Sequence, residues 1–192
     1  MEKKSIGART LVYPTPVFLV GTYDSDGRPN IMTAAWGGIC CSRPPCVAVS
    51  LRAATHSHAA IGRRKAYTIS VPSASLVREA DYAGIYSGRD EDKFEALGLT
   101  AVRSELVDAP YVGEAPLVLE CALRHVHELG LHTQFVGEIL DVKADPATLD
   151  EKGLPDIVRV DPLVYATGNR SYHRVGERVA AAFSVGRKPA SP

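Results

Sequence analysis

Charge imbalance and long apolar runs are both absent from this sequence. Its 192 residues include 22 Lys and Arg against 22 Asp and Glu, so the formal net charge is zero. A neutral chain has no overall field to attract nucleic acid or an anionic membrane. No stretch approaches the roughly 18 uninterrupted apolar residues of a membrane-spanning helix, and Pro14 and Pro16 interrupt the apolar run nearest the amino terminus. We therefore expect a cytoplasmic protein that binds neither nucleic acid nor membranes.

Cysteine is scarce, and its four copies follow neither a metal-binding nor a secreted-protein pattern. Cys40, Cys41, Cys46 and Cys121 include no C-x-x-C pair, and the adjacent Cys40 and Cys41 could form only a strained bridge. We expect four reduced thiols that pack as small hydrophobic side chains. Because the sequence also lacks G-x-G-x-x-G and the phosphate-binding P-loop motif, a tightly held dinucleotide on a Rossmann unit is not expected.

The composition that is present is that of an ordinary folded domain. Hydrophobic residues make up 45% of the chain and charged residues 23%, so a core can form without disulfides or metals. At this length we expect one domain over residues 1–192, with an extended arm over 1–13 and a frayed tail over 187–192.

Short strands separated by turns dominate the hydrophobic pattern. In the clearest one, Leu117, Leu119, Cys121 and Leu123 form an apolar face, and Glu120 points the other way. We expect strands at 17–23, 30–36, 46–51, 66–71, 117–123 and 133–142, and helices at 56–64, 76–83 and 91–97 with N-caps at Thr55, Ser73 or Ser75, and Asp90. This order predicts a mainly β fold with short helices, a β-barrel with helical additions. The alternative, a parallel α/β sheet, needs more regular strand–helix alternation.

Polar and basic residues cluster directly after the expected strand at 46–51. Arg52 ends this strand, and Thr55 and Ser57 open the next helix, whose unpaired N–H groups and positive end attract anions. The guanidinium and the two hydroxyls therefore predict a phosphate site. The alternative stays open that Thr55 only caps the helix and that the basic run at 63–65 is a solvated face.

Small residues surround the only tryptophan in the segment 30–38. They would let a flat ring lie against the backbone, with Trp36 as an aromatic wall. The alternative is an ordinary core strand that carries a core tryptophan.

Five segments occur in the order DGRPNIMTAAWGG, CSRPPCVAVSLR, THSHAAI, YSGRDEDKFEALGL and GLHTQFVGEI. Together they resemble the flavin reductase-like, FMN-binding split-barrel family, and its flavoredoxin branch in particular, over about residues 14–186. This resemblance implies a six-stranded Greek-key split β-barrel that forms a homodimer, with FMN near the subunit interface. It also implies NADH or NADPH as a transient electron donor, or else a redox partner protein.

The resemblance also assigns site residues. It implies that the flavin ring contacts Thr33, Ala34, Ala35 and Trp36, with the strand end Ser50, Leu51 and Arg52 beside it. It places the phosphate at Thr55, His56 and Ser57, and it implies that Ser87, Gly88 and Lys93 close over the cofactor. His132 matches the family histidine near the flavin and the nicotinamide position, and we expect it to be catalytic.

Several other groups carry weaker expectations. His125, His127 and His132 could converge on a metal, but no further ligand is evident, so no metal site is expected. Cys40 and Cys41 could instead lie near the flavin with a redox-active thiol. The loop-like stretch at 165–176 could contact a cofactor or simply seal the barrel mouth.

Two functions therefore lead. The first is an FMN-dependent oxidoreductase that passes electrons from NAD(P)H or a protein donor through bound FMN. The second is a non-catalytic, FMN-binding electron carrier that does not use NAD(P)H. A barrel without a cofactor is a third interpretation.

Overall fold

The computed structural model describes residues 1–187, which form twelve strands and four short α-helices. The strands are β1 (Thr15–Pro16), β2 (Phe18–Tyr23), β3 (Pro29–Ala34), β4 (Gly37–Ser42), β5 (Pro45–Arg52), β6 (Ala66–Val71), β7 (Ala101–Arg103), β8 (Pro110–Val112), β9 (Leu117–Leu129), β10 (His132–Ala144), β11 (Val164–Ala166) and β12 (Ser171–His173). The helices are α1 (His56–Arg64), α2 (Val77–Ile85), α3 (Lys93–Leu97) and α4 (Ile157–Val160), with 3-10 helices at Ala74–Leu76 and Pro146–Thr148. Within residues 1–187, no helix has the length and apolar character needed to cross a bilayer.

The main sheet closes on itself. Its seven strands lie in the order β3-β2-β6-β9-β10-β5-β4, and the neighbouring pairs are antiparallel. β3 and β4 stand at opposite ends of this order, yet only Ala35 and Trp36 separate them along the chain. Because so short a link spans at most about 11 Å, the sheet must curl until its two ends meet. The predicted mainly β, split-barrel class is confirmed.

The barrel interior is filled by side chains that alternate along the strands. Its central cluster includes Val47, Val49 and Leu51 of β5, with Tyr67 of β6 and Phe135 of β10. The Tyr67 ring is fully buried, and its hydroxyl donates a hydrogen bond of 3.0 Å to the carbonyl oxygen of Val47. This ring lies directly against the backbone of Gly137 on β10, where the ladder with β9 shifts register.

A second apolar cluster covers the outer side of β2 and β3. It joins Leu19 and Ile31 of these strands to Ala80 and Ala83 of α2 and to Phe94 of α3. β3 is consequently buried on both sides, by the barrel interior and by the two helices. The start of β3 therefore lies beside the end of α2, the start of α3 and the start of α1, which contacts β2 and β3.

Every expected strand and helix forms, with ends that shift by a few residues. The largest shift lengthens the strands of one hairpin, β9 (Leu117–Leu129) and β10 (His132–Ala144). The N-cap of α3 is Asp92 rather than Asp90, because the Asp92 carboxylate accepts the N–H groups of Phe94 and Glu95. Residues 1–10 are exposed, in keeping with an arm, and most of the predicted tail 187–192 lies outside the described residues.

β4 was not predicted, and it raises the number of strands in the main sheet from the expected six to seven. Its sequence, GGICCS, has two glycines and no alternation of apolar and polar residues. It forms a strand because it pairs with β5, with Gly37 opposite Val49 and Cys41 opposite Cys46. Tertiary pairing, rather than local propensity, decides its conformation.

Glu120 points away from the apolar face of β9, as expected, but it does not reach solvent. The side chain is fully buried, and its cross-strand neighbour on β6 is Thr68, whose hydroxyl donates to the carbonyl oxygen of Pro110 on β8. The Glu120 carboxylate lies 3.2 Å from the ammonium group of Lys143, so the buried charge is paired. A buried charge that kept no partner would be strongly destabilising.

We predict that Gly137→Ala destabilises the barrel by about 1–3 kcal/mol through overpacking. An added Cβ would lie 2.6 Å from the Tyr67 hydroxyl oxygen and 2.8 Å from Cζ of the same buried ring. Gly38→Ala on β4 is the matched control, since a Cβ there meets no atom within 4 Å. Urea unfolding measures both variants, and equal midpoints would contradict this packing.

Candidate functional site

A cavity of about 230 Å³ opens where β3, α1, α2 and α3 meet. Three stretches of chain contribute its walls: the start of β3, the entry to α1, and the segment from the end of α2 to α3. The lining residues are Asn30, Met32, Ala54, Thr55, His56, Ser57, Ala83, Gly84, Ile85, Tyr86, Ser87, Gly88, Arg89 and Lys93. Sites that enclose a whole drug-sized ligand usually measure about 300–1,000 Å³, so this one suits part of a larger molecule.

The first wall of the cavity is the amino-terminal end of α1, a nine-residue helix. Thr55 occupies the N-cap position, but its side chain does not cap the helix; its hydroxyl donates instead to the carbonyl oxygen of Arg52. No acidic residue lies in the first turn. The helix therefore presents its positive end to the cavity without a side chain of its own to neutralise it.

Behind this helix end lies a buried group of polar side chains. The Ser57 hydroxyl accepts hydrogen bonds from the Asn30 side-chain amide at 2.9 Å and from the Thr22 hydroxyl at 3.4 Å. Asn30 is 5% exposed, and its Oδ1 has no hydrogen-bond partner among the described residues. A Cβ at Gly88 would lie 2.0 Å from this oxygen, so position 88 requires glycine. An unpartnered acceptor is thus held at the cavity wall.

His56 forms the next part of the wall and lies close to a fixed carboxylate. Its Nε2 lies 3.9 Å from Oδ2 of Asp24. Burial would raise the pKa of Asp24, but hydrogen bonds from the backbone N–H groups of Arg28 and Asp26 hold it below its ordinary value. Burial lowers the pKa of His56 and outweighs the attraction of Asp24. His56 is therefore neutral near pH 7, with Asp24 ionised beside it.

Lys93 places an ammonium group in the interior of this region, which is unusual for a lysine. The residue is 3% exposed, and its ammonium group donates to the carbonyl oxygens of Ile31 at 2.9 Å and Ala83 at 2.8 Å. No carboxylate of residues 1–187 forms an ion pair with it. Burial lowers the pKa of Lys93 to about 8. The two bonds leave one of its three N–H donors for a ligand in the cavity.

With this geometry in place, comparison with known proteins decides the family. A family model described as "Flavin reductase like domain" matches residues 9–176. The chain belongs to the flavin reductase-like domain family. It is 62% identical to flavoredoxin of Desulfovibrio vulgaris (Miyazaki F), with a TM-score of 0.93 over 97% of this chain and 100% of that chain.

Two more distant relatives are similar to this chain over most of its length. A flavoredoxin from Methanosarcina acetivorans is 29% identical, with a TM-score of 0.90 over 97% of this chain and 98% of that one. An uncharacterized protein of Archaeoglobus fulgidus is 33% identical over 157 residues, which cover 82% of this chain and 86% of the relative.

Six of the site residues predicted by the family resemblance converge on the cavity. They are Thr55, His56, Ser57, Ser87, Gly88 and Lys93. Sequence reasoning missed Asn30, Met32 and Arg89, although all three lie inside the motifs that carry the resemblance. Arg89 stands at the rim, where one guanidinium nitrogen donates to the carbonyl oxygen of Ala54 at 3.0 Å. The remaining predicted residues lie outside the cavity.

The segments expected to contact a flavin ring meet beside the barrel end. The backbone N–H of Ser50 donates to the carbonyl oxygen of Trp36 at 2.8 Å, which joins the two segments. Ala34 and Leu51 point into the core and offer only backbone groups to a ligand, and the Thr33 hydroxyl is bonded to the carbonyl oxygen of Ala80. Ala35 and Trp36 are half-buried. The assignment of 33–36 and 50–52 to the ring stays a prediction.

Arg52 and His132 are cross-strand neighbours at the open ends of β5 and β10. Arg52 is exposed and does not line the cavity, so the cavity does not support its predicted phosphate contact. His132 is half-buried. Next to His132, the Thr133 hydroxyl donates to Glu128 of β9 at 2.9 Å and lies 2.8 Å from Nε2 of His58 on α1.

Two other expectations need correction. The expectation that all four cysteines pack in the interior is wrong, because Cys40 and Cys41 on β4 are exposed, whereas Cys46 and Cys121 are buried. The stretch 165–176 is not an open loop, because β11 and β12 form a hairpin there. The Tyr172 hydroxyl donates to Asp81 of α2 at 3.0 Å, so this hairpin packs on α2.

The two histidines of β9 lie beyond an irregularity of the ladder with β10. A register shift between Val136 and Gly137 places Arg124 in a bulge, so His125 and Leu123 do not continue one alternating face. The rings of His125 and His127 stack with centroids 6.1 Å apart. Among residues 1–187, no group of three or more His, Cys, Asp or Glu side chains is placed to hold a metal.

We predict that burial of Lys93 makes stability depend on pH. Its pKa is about 8 in the folded protein against 10.5 as the ordinary value, so between these values the unfolded chain binds more protons. Stability must then rise with pH in this window, by about 2 kcal/mol between pH 8 and pH 10 in the ligand-free protein. Lys93→Met should lack this increment. Parallel pH profiles of urea-unfolding free energy for the two proteins would contradict the prediction.

Proposed function

We propose that this protein is an FMN-binding oxidoreductase of the flavin reductase and flavoredoxin type, which passes electrons through bound FMN. The observation that carries the proposal is the cavity with the uncompensated cation of Lys93 at its base. A phosphate group is the ligand that would supply the missing negative charge. FMN, when bound, supplies one-electron and two-electron transfer.

The residues of the cavity suit the phosphate and ribityl part of FMN. Lys93, Arg89 and the uncapped end of α1 offer positive charge and N–H donors, which are the groups that bind phosphate. The unpartnered oxygen of Asn30 can accept a hydrogen bond from a ribityl hydroxyl. The cavity volume holds this part of the molecule, and the ring would then lie outside it, against 33–36 and 50–52.

The groups around the ring position have distinct roles in this proposal. The backbone at 34–36 lies beside Ser50 and can donate N–H groups to the oxygen and nitrogen atoms of a flavin ring. Arg52 provides a cation that stabilises negative charge on a reduced ring. His132, opposite Arg52, would contact and orient a nicotinamide donor. Such a donor would visit an exposed ring face rather than a dedicated dinucleotide domain.

The alternative function is an FMN-binding electron carrier that takes electrons from a redox protein and not from NAD(P)H. The 62% identity to a protein named flavoredoxin favours it specifically. The two functions share the cofactor site and differ in the electron donor. The donor therefore has to be tested by kinetics.

A homodimer in the cytoplasm completes the proposal. Apolar side chains such as Ile39, Val179 and Phe183 are largely exposed in the single chain, which supports burial against a second copy. Light scattering of the purified protein measures the oligomeric state directly. The cysteine spacing, which lacks a secreted-protein pattern, agrees with a reducing compartment.

We predict that Arg89→Gln raises the dissociation constant of FMN about tenfold or more and leaves that of riboflavin nearly unchanged. The reason is that a charged hydrogen bond to phosphate is worth about 1.5–3 kcal/mol, and riboflavin has no phosphate. Arg78→Gln, on the exposed side of α2, is the matched control. Fluorescence titration measures both ligands. Equal losses for FMN and riboflavin would place the phosphate elsewhere.

We predict that anaerobic mixing of the FMN-loaded protein with NADH or NADPH bleaches the flavin rapidly. His132→Ala should slow this reduction by at least about tenfold and change FMN affinity little, because its side chain would act on the donor. His127→Ala, on the same sheet but away from Arg52, is the control. If neither nucleotide bleaches the wild-type protein, the carrier function replaces the reductase function.

A further inference from the structure

Three of the four cysteines lie at one end of the β4–β5 hairpin, apart from the cavity. Cys41 and Cys46 are directly opposite each other in the antiparallel ladder, next to the turn formed by Arg43 and Pro44. Cys40 falls at the register shift between Ile39 and Cys41. All three are free thiols, and neither the cofactor site nor the barrel core uses Cys40 and Cys41.

The strand pairing selects one pair of these thiols for a covalent bond. Residues that face each other on antiparallel strands have Cα atoms about 4.5–5.5 Å apart and project from the same face of the sheet. A disulfide requires a Cα separation of about 4.4–6.8 Å, so Cys41 and Cys46 meet this requirement. Cys40 has no cross-strand partner in this register. Cys40 and Cys41 do not meet the requirement either, since adjacent Cα atoms lie only about 3.8 Å apart.

The environments of the Cys41 and Cys46 sulfur atoms differ, and this difference determines which thiol reacts first. Burial raises the pKa of Cys46, and the neighbouring thiols of Cys41 and Cys40 raise it further. Cys46 therefore remains a protonated thiol near neutral pH, whereas Cys41 is exposed to reagents in solution. An exposed thiol with a protected thiol beside it is the arrangement of an attacking and a resolving cysteine.

We propose that Cys41 and Cys46 are a redox-active pair that forms a reversible disulfide in exchange with a small disulfide of the glutathione class. The Cys41 thiolate attacks the small disulfide, forms a mixed disulfide and releases one thiol. The Cys46 thiol then loses its proton and attacks the Cys41 sulfur, which releases the second thiol. In sum, two cysteine thiols are oxidised, and one small disulfide is reduced to two thiols.

This disulfide would fasten the edge strand of the barrel. β4 is the last strand of the main sheet, and its residues from Ile39 to Ser42 are exposed. β4 begins directly after Trp36, and β5 ends at Arg52, so the same hairpin joins both segments assigned to the flavin ring. Oxidation would fix the register of this hairpin at its turn end and slow its opening.

Incubation of the purified full-length protein with oxidised glutathione, without added FMN, tests the pair. We expect two of the four thiols to be lost, the chain to lose two hydrogen atoms, and non-reducing peptide mapping to join Cys41 to Cys46. Dithiothreitol should restore all four thiols. The amide groups of β4 should exchange hydrogen more slowly in the oxidised form.

Single substitutions separate this pair from other products. Cys40→Ser should still form the intrachain disulfide, whereas Cys41→Ser and Cys46→Ala should not. Retention of four thiols in the wild-type protein would overturn the proposal, and so would a stable glutathione adduct, a disulfide between two chains, or a disulfide that contains Cys40. Circular dichroism checks that each variant is folded, and Cys41→Ser alters an exposed side chain only.

Discussion

The ammonium group of Lys93 is the contact on which the candidate site depends. Its bonds to the carbonyl oxygens of Ile31 and Ala83 hold the start of α3 against β3 and the end of α2, and this arrangement creates the cavity wall. Burying a cation without a carboxylate partner is costly, and fold stability alone gives no reason to keep it. Ionisable groups with strongly shifted pKa values concentrate at functional sites. The buried Lys93 therefore fits a candidate site for an anionic ligand.

Closure of the barrel determines which other groups of the protein could contact a ligand in the cavity. Ala35 and Trp36 alone connect β3 and β4, the two end strands of the sheet. This short crossing therefore lies at the seam of the barrel, which is the place where these two end strands meet. The hydrogen bond from Ser50 to Trp36 then fixes the crossing against the end of β5. A cofactor that extends from the cavity toward the seam would meet backbone groups there, because Ala34 and Leu51 direct their side chains into the core. In the proposed complex, recognition through backbone groups would account for the small residues of this segment.

Much of the fold could be predicted from the sequence, and the failures have physical causes. Alternation identified β9 because one of its faces packs on the barrel core, as Leu119 and Cys121 show. It failed for β4, whose pairing partner alone makes it a strand. It correctly turned Glu120 away from the apolar face but did not indicate that this side chain is buried. In the site, the motifs located Lys93 and Gly88, but sequence spacing could not reveal that Arg89 rather than Arg52 reaches the cavity, since this depends on how the 84–92 segment folds back.

The unpaired groups in the cavity also link stability to ligand binding. The ligand-free protein holds a buried ammonium group without a counter-ion and an Asn30 oxygen without a donor, and both features favour unfolding. An anionic ligand that also carries hydroxyl groups would remove both costs at once, and any ligand that binds only the folded state stabilises it. Gly88 must stay small so that this oxygen keeps its place, since a Cβ there would lie 2.0 Å from it. The proposed ligand, which carries both a phosphate and hydroxyl groups, would therefore stabilise the folded protein.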